Sequence, residues 1–155
     1  MSRSTTRERY DLLIDGERVE PSSGEYRETV DPATGEAFAE VAVADAADVD
    51  SAVAAASSAF PDWRDTDPVE RGRTLYRVAD RIREHVDDLA DVESRDQGKP
   101  RSQARSDLTS AARYFEYYAG AADKLEGRSV PVGTGQVDFT VREPYGVSAQ
   151  IIPWN

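Results

Sequence analysis

The chain has 155 residues, 30 acidic and 19 basic side chains, and a formal net charge of -11. That charge argues against nucleic acid and against an anionic membrane surface as partners, because both would repel the protein. The absence of cysteine excludes a disulfide framework, a thiolate metal site and cysteine nucleophilic chemistry within these residues. Hydrophobic residues make up 39%, which is enough for a core of moderate size.

The lack of a membrane-spanning or secretory segment in the sequence predicts a soluble, cytoplasmic protein. No apolar run approaches the roughly 18 residues that a membrane span needs, and no apolar segment follows the polar start at Met1. We expect residues 1–9 to form a disordered tail. Only two basic residues are lysines and 17 are arginines, and with the acidic excess this favours a surface adapted to high salt. An ordinary acidic protein is the alternative.

The amino-terminal third predicts short strands and turns. Residues 10–21 are expected to form a β-hairpin, because Asp15-Gly16 is a strong two-residue turn signal between apolar stretches. The segment Asp31–Gly35 predicts a second turn, since proline fixes φ and glycine supplies positive φ. A strand is expected to follow over residues 37–43.

Three amphipathic helices are predicted next. Asp45 can cap the first, and Pro61 is expected to end it. Asp67 begins the second with a capping-box arrangement, and Gly98 is its expected stop. The third runs from Arg101 to Leu125. The apolar stripe of the second helix, which we expect to be buried, consists of Leu75, Val78, Ile82, Val86, Leu89 and Val92.

The last 25 residues change to strand-like patterns. Alternation at Val137, Phe139 and Val141 predicts a half-solvated strand, and the apolar run over residues 147–153 predicts a strand buried on both faces of a parallel sheet. Parallel neighbours require crossover connections of about a dozen residues. We therefore interpret the chain as the amino-terminal piece of a longer α/β protein.

Most chemistry-bearing patterns are better explained by structure. His85 is interpreted as a solvated surface histidine, and Gly133–Gly135 as a turn, because it precedes a strand instead of opening a helix. Carboxylates such as those of Asp80 and Glu84 alternate with arginines, which is typical of a salt-bridged helix face. The aromatic cluster over residues 114–118 is expected to serve helix–helix packing.

One segment carries a family resemblance. Arg142–Asn155 is similar to the NAD(P)-dependent aldehyde dehydrogenases around their first nucleotide-binding strand. The resemblance extends over nearly the whole chain from about Leu12. Five further stretches agree in the same order, namely Leu13–Val19, Asp31–Glu36, Ala44–Val53, Glu93–Pro100 and Tyr117–Gly127.

The resemblance implies the fold and assembly. Residues 10–155 would be the amino-terminal portion of an NAD(P)-binding domain, with helices and a first Rossmann-like strand. Strands near 10–20 and 136–143 would belong to a bridging and oligomerisation region. The family forms homodimers or homotetramers, and an exposed strand suits subunit contact by sheet extension.

The resemblance also implies site residues. Asn155 matches the amide that stabilises the oxyanion during oxidation of an aldehyde to a carboxylic acid. The cofactor, NAD or NADP, would contact Ile151, Ile152, Pro153 and Trp154. In some members a monovalent cation is bound, and Asp107 with the Thr29 and Val30 carbonyls match its ligands.

The family's catalytic cysteine and glutamate have no match in this sequence. The resemblance therefore implies that the 155-residue chain alone does not catalyse the reaction. A non-catalytic remnant, or an interaction module that pairs with intact subunits, is the alternative function.

Overall fold

A computed structural model describes residues 8–153. Its helices and strands agree with the predicted α/β class. In chain order they are β1 (Glu8–Tyr10), β2 (Leu12–Ile14), β3 (Glu17–Val19), β4 (Tyr26–Asp31), β5 (Glu36–Ala42), α1 (Ala46–Asp65), α2 (Pro68–Glu84), α3 (Val86–Gln97), α4 (Arg101–Ala121), β6 (Ser129–Val130) and β7 (Asp138–Phe139).

The predicted hairpin is confirmed as the antiparallel pair β2–β3. Asp15 and Gly16 have φ values of 53° and 78°, the positive angles that a tight hairpin turn needs. A second sheet has the order β1-β5-β4, with β1 parallel and β4 antiparallel to β5. Because β1 contains Glu8 and Arg9, the predicted tail over residues 1–9 is wrong for those two residues. The rest of that tail lies outside the described residues.

Helix α1 begins where the sequence predicts and ends later. The Asp45 carboxylate accepts from the backbone N–H groups of Ala47 and Asp48 at 2.8 and 3.2 Å, which satisfies donors at the helix start. The prediction that Pro61 ends the helix is wrong, since it lies inside α1. A proline lacks the N–H that would bond within the helix, but the following turn still forms, with Thr66 N–H donating to the Asp62 carbonyl at 3.0 Å.

The predicted second helix is two helices. His85, with φ -110° and ψ 18°, leaves the helical conformation and separates α2 from α3. The predicted start and end are confirmed, because Asp67 accepts from Val69 N–H at 2.8 Å and Gly98 has φ 75°. The predicted capping box is not formed, since the Glu70 carboxylate pairs with Arg73 instead. Helix α4 starts at Arg101, as predicted, and ends at Ala121 rather than Leu125.

Small residues form the core of the helical layer. Helix α2 packs on α4 so closely that a Cβ on Gly72 would lie 2.6 Å from the Ala119 carbonyl oxygen. The predicted burial of Leu89 and Val92 is wrong, since both are at least 40% exposed. Helices that meet through small side chains approach closely and leave larger ones at the edge. The buried apolar residues are Ala39, Ala79, Ala90, Ala104, Ala112 and Ala119.

The carboxy-terminal arm, residues 126–153, has little regular structure. Only the β6–β7 pair is a ladder, so the strand predicted around Val137–Val141 is confirmed for two residues. The turn at Gly133–Gly135 is confirmed. Residues 147–152 pair with no other segment within the described residues, and because a parallel strand needs hydrogen-bonded neighbours, the strand predicted there stays a prediction for a longer protein.

Candidate functional site

The predicted cofactor-contacting residues lie at the end of the arm. Ile151 and Ile152 are 91% and 69% exposed, and Pro153 is exposed beside them. Trp154 and Asn155, including the amide predicted to stabilise an oxyanion, lie outside the described residues. Ile151, Ile152 and Pro153 are all exposed, and their binding role remains a prediction from the resemblance.

The stretch Glu93–Pro100, which carries part of the resemblance, joins α3 to α4. Lys99 Nζ donates to the Glu93 carboxylate at 2.6 Å and to the Asp107 carboxylate at 3.2 Å. Hydrogen bonding to Glu93 raises the pKa of Lys99 above its usual range. Asp107 also accepts from Gln103 at 2.7 Å, and Gln103 and then Lys99 lower its pKa. The cluster holds two helices together and contains no activated nucleophile.

The same stretch fixes the helices against the sheet. A Cβ on Gly98 would lie 2.8 Å from Pro32 Cγ. The guanidinium of Arg95 lies 4.4 Å from the centre of the Phe38 ring, and its Nε is 3.7 Å from Asp31. These contacts attach the end of α3 to the turn between β4 and β5.

The side chains of Thr29 and Asp107, two residues of the predicted cation site, have partners within the protein. Beside Thr29 lies Asp96, which accepts a hydrogen bond from the Thr29 hydroxyl at 2.7 Å. The Asp107 carboxylate instead binds Lys99 and Gln103. From residue 8 to residue 153, the structure contains no group of three His, Asp or Glu side chains able to hold a metal. The ligand set of Asp107 with the Thr29 and Val30 carbonyls therefore stays a prediction from the resemblance.

One buried carboxylate anchors the start of α1. Asp48 is 6% exposed and accepts from Ser22 N–H and Asp45 N–H, each at 3.0 Å. The sequence places Asp48 near the helix start, but the contact to Ser22 spans 26 residues and has no local signal. The side chain of Ser22 and the N–H groups of Asp48 and Ala47 lower the pKa of Asp45.

A second polar cluster ties the amino-terminal strands together. The Tyr26 hydroxyl donates to Asp11 at 2.7 Å, which raises the pKa of Tyr26 to about 12. The Arg9 guanidinium lies 4.2 Å from the centre of the Tyr26 ring and bonds Glu40 at 2.9 Å. A tyrosine held neutral and a fully paired arginine are structural groups here.

Open grooves lie on the helices, and two of them are lined by described residues. One, of about 460 Å³, is lined by α2 and α3 residues that include Arg77, Ile82 and His85. The prediction of a surface histidine is confirmed, since the His85 side chain is 48% exposed and its nearest charged partner, Asp88, is 3.9 Å away. Neither groove includes Ile151, Ile152 or Pro153.

The other groove, of about 450 Å³, lies on α4 beside Tyr114, Tyr117 and Tyr118. These side chains are 68%, 71% and 62% exposed, so the prediction that the aromatic cluster serves helix–helix packing is wrong for them. Tyr117 and Tyr118 contact each other edge to face, with their ring centres 5.3 Å apart. Small residues form the helix contacts instead.

The salt-bridged helix face is confirmed. Arg81 bonds Glu84 at 2.7 Å, and Arg83 bonds Glu116 at 2.7 Å and lies 3.8 Å from Asp80.

Within residues 8–153, no helix is both long and apolar enough to cross a bilayer.

Comparison with protein families gives one match across most of the chain. The model described as "Aldehyde dehydrogenase family" matches residues 19–155. A mitochondrial aldehyde dehydrogenase of Arabidopsis thaliana, family 2 member B4, is 44% identical over 147 residues, covering 93% of this chain and 27% of that protein. The chain thus spans less than a third of the length of this relative.

Solved structures agree with the fold. PnpE from Pseudomonas sp. WBC-3 is 44% identical with a TM-score of 0.90, and the match covers 94% of this chain and 30% of that one. An NAD+ complex of the aldehyde dehydrogenase from Bacillus cereus is 36% identical with a TM-score of 0.82, covering 85% and 28%.

Proposed function

The chain belongs to the aldehyde dehydrogenase family, and we propose that it is the amino-terminal part of an enzyme that oxidises an aldehyde to a carboxylic acid. The observation that carries the proposal is the family match over residues 19–155, supported by a TM-score of 0.90 to a solved relative. NAD is the favoured cofactor class because a similar enzyme has been solved with NAD+. The use of NADP is a second possibility for the same site.

In this proposal the end of the chain serves the reaction. The Asn155 side-chain amide donates to the oxygen that gains negative charge when a nucleophile attacks the aldehyde carbonyl. Such a donor stabilises the transition state by about 2.7–4 kcal/mol. Ile151, Ile152, Pro153 and Trp154 contact the adenosine and ribose side of the cofactor, which agrees with ligand binding beyond the carboxyl ends of parallel strands. In this proposal the exposed side chain of Ile151 becomes covered by the cofactor and by neighbouring strands of the longer protein.

The nucleophile must come from residues outside this sequence. The 155 residues contain no cysteine, and without a thiolate no thioester intermediate can form. The chain alone is therefore expected to be inactive. This expectation does not favour the alternative of a non-catalytic module, because an enzyme domain separated from its thiol would behave in the same way.

The experiment compares two proteins. The purified 155-residue chain, mixed with acetaldehyde or betaine aldehyde and NAD+ or NADP+, should give no reduced cofactor. Turnover by the pure chain would falsify the proposal that residues outside this sequence supply the nucleophile. The protein translated from the uninterrupted gene, if the reading frame continues, should be active. In that protein Asn155→Ala should lower kcat by about 10²–10³-fold, whereas Gln150→Ala, an exposed neighbour, should not.

We further propose that the enzyme is a cytoplasmic homodimer or homotetramer without nucleic-acid partners. The net charge of -11 supports the last point. A size measurement of the full-length protein tests the assembly. A monomer at micromolar concentration would contradict it.

The composition also supports adaptation to high salt, with 17 arginines and 30 acidic residues. Cations would screen the mutual repulsion of the acidic groups. The helical circular-dichroism signal should then strengthen in molar KCl. An unchanged signal from low to high salt would contradict the adaptation.

A further inference from the structure

The chain has only two lysine side chains, and their surroundings differ. The Lys99 side chain is 25% exposed and lies between the carboxylates of Glu93 on α3 and Asp107 on α4. The Lys124 side chain is 67% exposed, follows the end of α4, and pairs with the carboxylate of its neighbour Asp123. Exposed ion pairs are weak and exchange readily with water, whereas a partly buried lysine held by two carboxylates is costly to displace.

This difference matters for a protein that handles aldehydes. A simple aldehyde condenses with a neutral primary amine, but the 17 arginine guanidinium groups stay protonated and the chain offers no thiol. We propose that, among these 155 residues, Lys124 is the side chain that aldehydes modify as a Schiff base, and that the two carboxylates around Lys99 protect Lys99 from the same reaction.

The reaction balances without an oxidant. Lys124 loses a proton to water, and its Nζ lone pair attacks the aldehyde carbon to give a carbinolamine. Loss of one water molecule then forms the C=N bond and leaves the imine. The imine is reversible. Added cyanoborohydride delivers hydride to the imine carbon and converts the adduct into a stable secondary amine.

The test maps adducts on the whole chain. The protein is incubated with propanal and cyanoborohydride, cleaved by an arginine-specific protease and analysed by mass spectrometry. Lys99 and Lys124 fall on separate peptides, residues 96–101 and 114–128, and the amino-terminal amine on a third. At partial conversion, Lys124 should carry at least about fivefold more adduct than Lys99. Equal labelling, or more on Lys99, overturns the proposal.

Variants separate protection from mere accessibility. Glu93→Gln keeps the shape of the side chain and removes one carboxylate, and should raise the Lys99 adduct at least about threefold. Asp123→Asn is the matched control and should leave the Lys124 adduct within about twofold. Circular dichroism verifies that each variant folds. An unchanged Lys99 adduct in Glu93→Gln would show that the carboxylates do not protect it.

The inference rests on the proposed function only for its choice of aldehydes as reactants. Imine formation needs neither the cofactor nor the missing thiol. Failure of the activity assay therefore leaves the adduct map unchanged, and an overturned map leaves the proposed oxidation intact.

Discussion

The body of the molecule, residues 8–125, and the carboxy-terminal arm, residues 126–153, match the same family but are organised differently. In the body, close alanine contacts and ion pairs such as Arg83–Glu116 tie α2 and α3 to α4. In the arm, two short strands pair, and Val137 and Ile151 are 85% and 91% exposed. Two regions can therefore match the same family equally well and still differ in how many of their stabilising contacts lie within these residues.

The largest expected effect lies in the body, at the buried Asp48. Asp48→Ala leaves the N–H groups of Ser22 and Asp45 without their acceptor, and should lower the free energy of unfolding by about 2–3 kcal/mol. Urea unfolding followed by circular dichroism measures it. Asp50→Ala, an exposed change on the same helix, should stay within about 0.5 kcal/mol. Equal losses in both variants would show that the contact to Ser22 contributes nothing.

A smaller effect is expected where α2 crosses α4. Gly72→Ala places a Cβ 2.6 Å from the Ala119 carbonyl oxygen, so the helices must separate. After the gain in helix propensity, the free energy of unfolding should fall by about 1–2 kcal/mol. At Gly120 the nearest atom to an added Cβ, Tyr76 Oη, is 3.5 Å away, so Gly120→Ala should be neutral or stabilising. Thermal unfolding compares the two variants.

The third effect appears only in acid. The pKa of Asp45 is lower in the folded protein than its unfolded value of about 3.9. Its contribution to stability is therefore complete above about pH 4 and is lost as the pH falls through the lowered folded pKa. Asp45→Asn caps the helix without titrating, so its stability should decline less steeply below about pH 4. Identical acid-unfolding profiles of the original protein and Asp45→Asn would show that titration of Asp45 does not contribute to the loss of stability in acid.

The smallest effect is expected in the arm. Phe139 is 64% exposed, so Phe139→Ser should change the free energy of unfolding by no more than about 0.5 kcal/mol. Urea unfolding of this variant beside Asp48→Ala tests the comparison directly. A loss above about 1 kcal/mol in Phe139→Ser would mean that the arm packs on the body.

Local chemistry made much of the body predictable. Asp15-Gly16, the Asp45 cap and the Gly98 stop act within a few residues, and each is confirmed. Strand β4 was not predicted, because a register shift between Thr29 and Val30 breaks its alternation. The break at His85 was not predicted either, because apolar spacing continues across it.

The predicted site was less accessible from sequence. Its residues were inferred by resemblance, and the strand that would present Ile151 depends on neighbours that the described residues do not supply. The Thr29 hydroxyl donates to Asp96 on α3, a contact between residues 67 positions apart. Non-local pairs of this kind have no signal in spacing.

Gly98 is constrained twice, by its φ of 75° and by Pro32 at 2.8 Å from where a Cβ would sit. Shrinking Pro32 would relieve crowding but not backbone strain, so no single compensating change restores a larger residue at position 98. Any side chain at this corner would have to overcome both an unfavourable backbone conformation and a collision with the ring of Pro32. The junction of α3 with the turn after β4 therefore depends on the absence of a side chain at position 98.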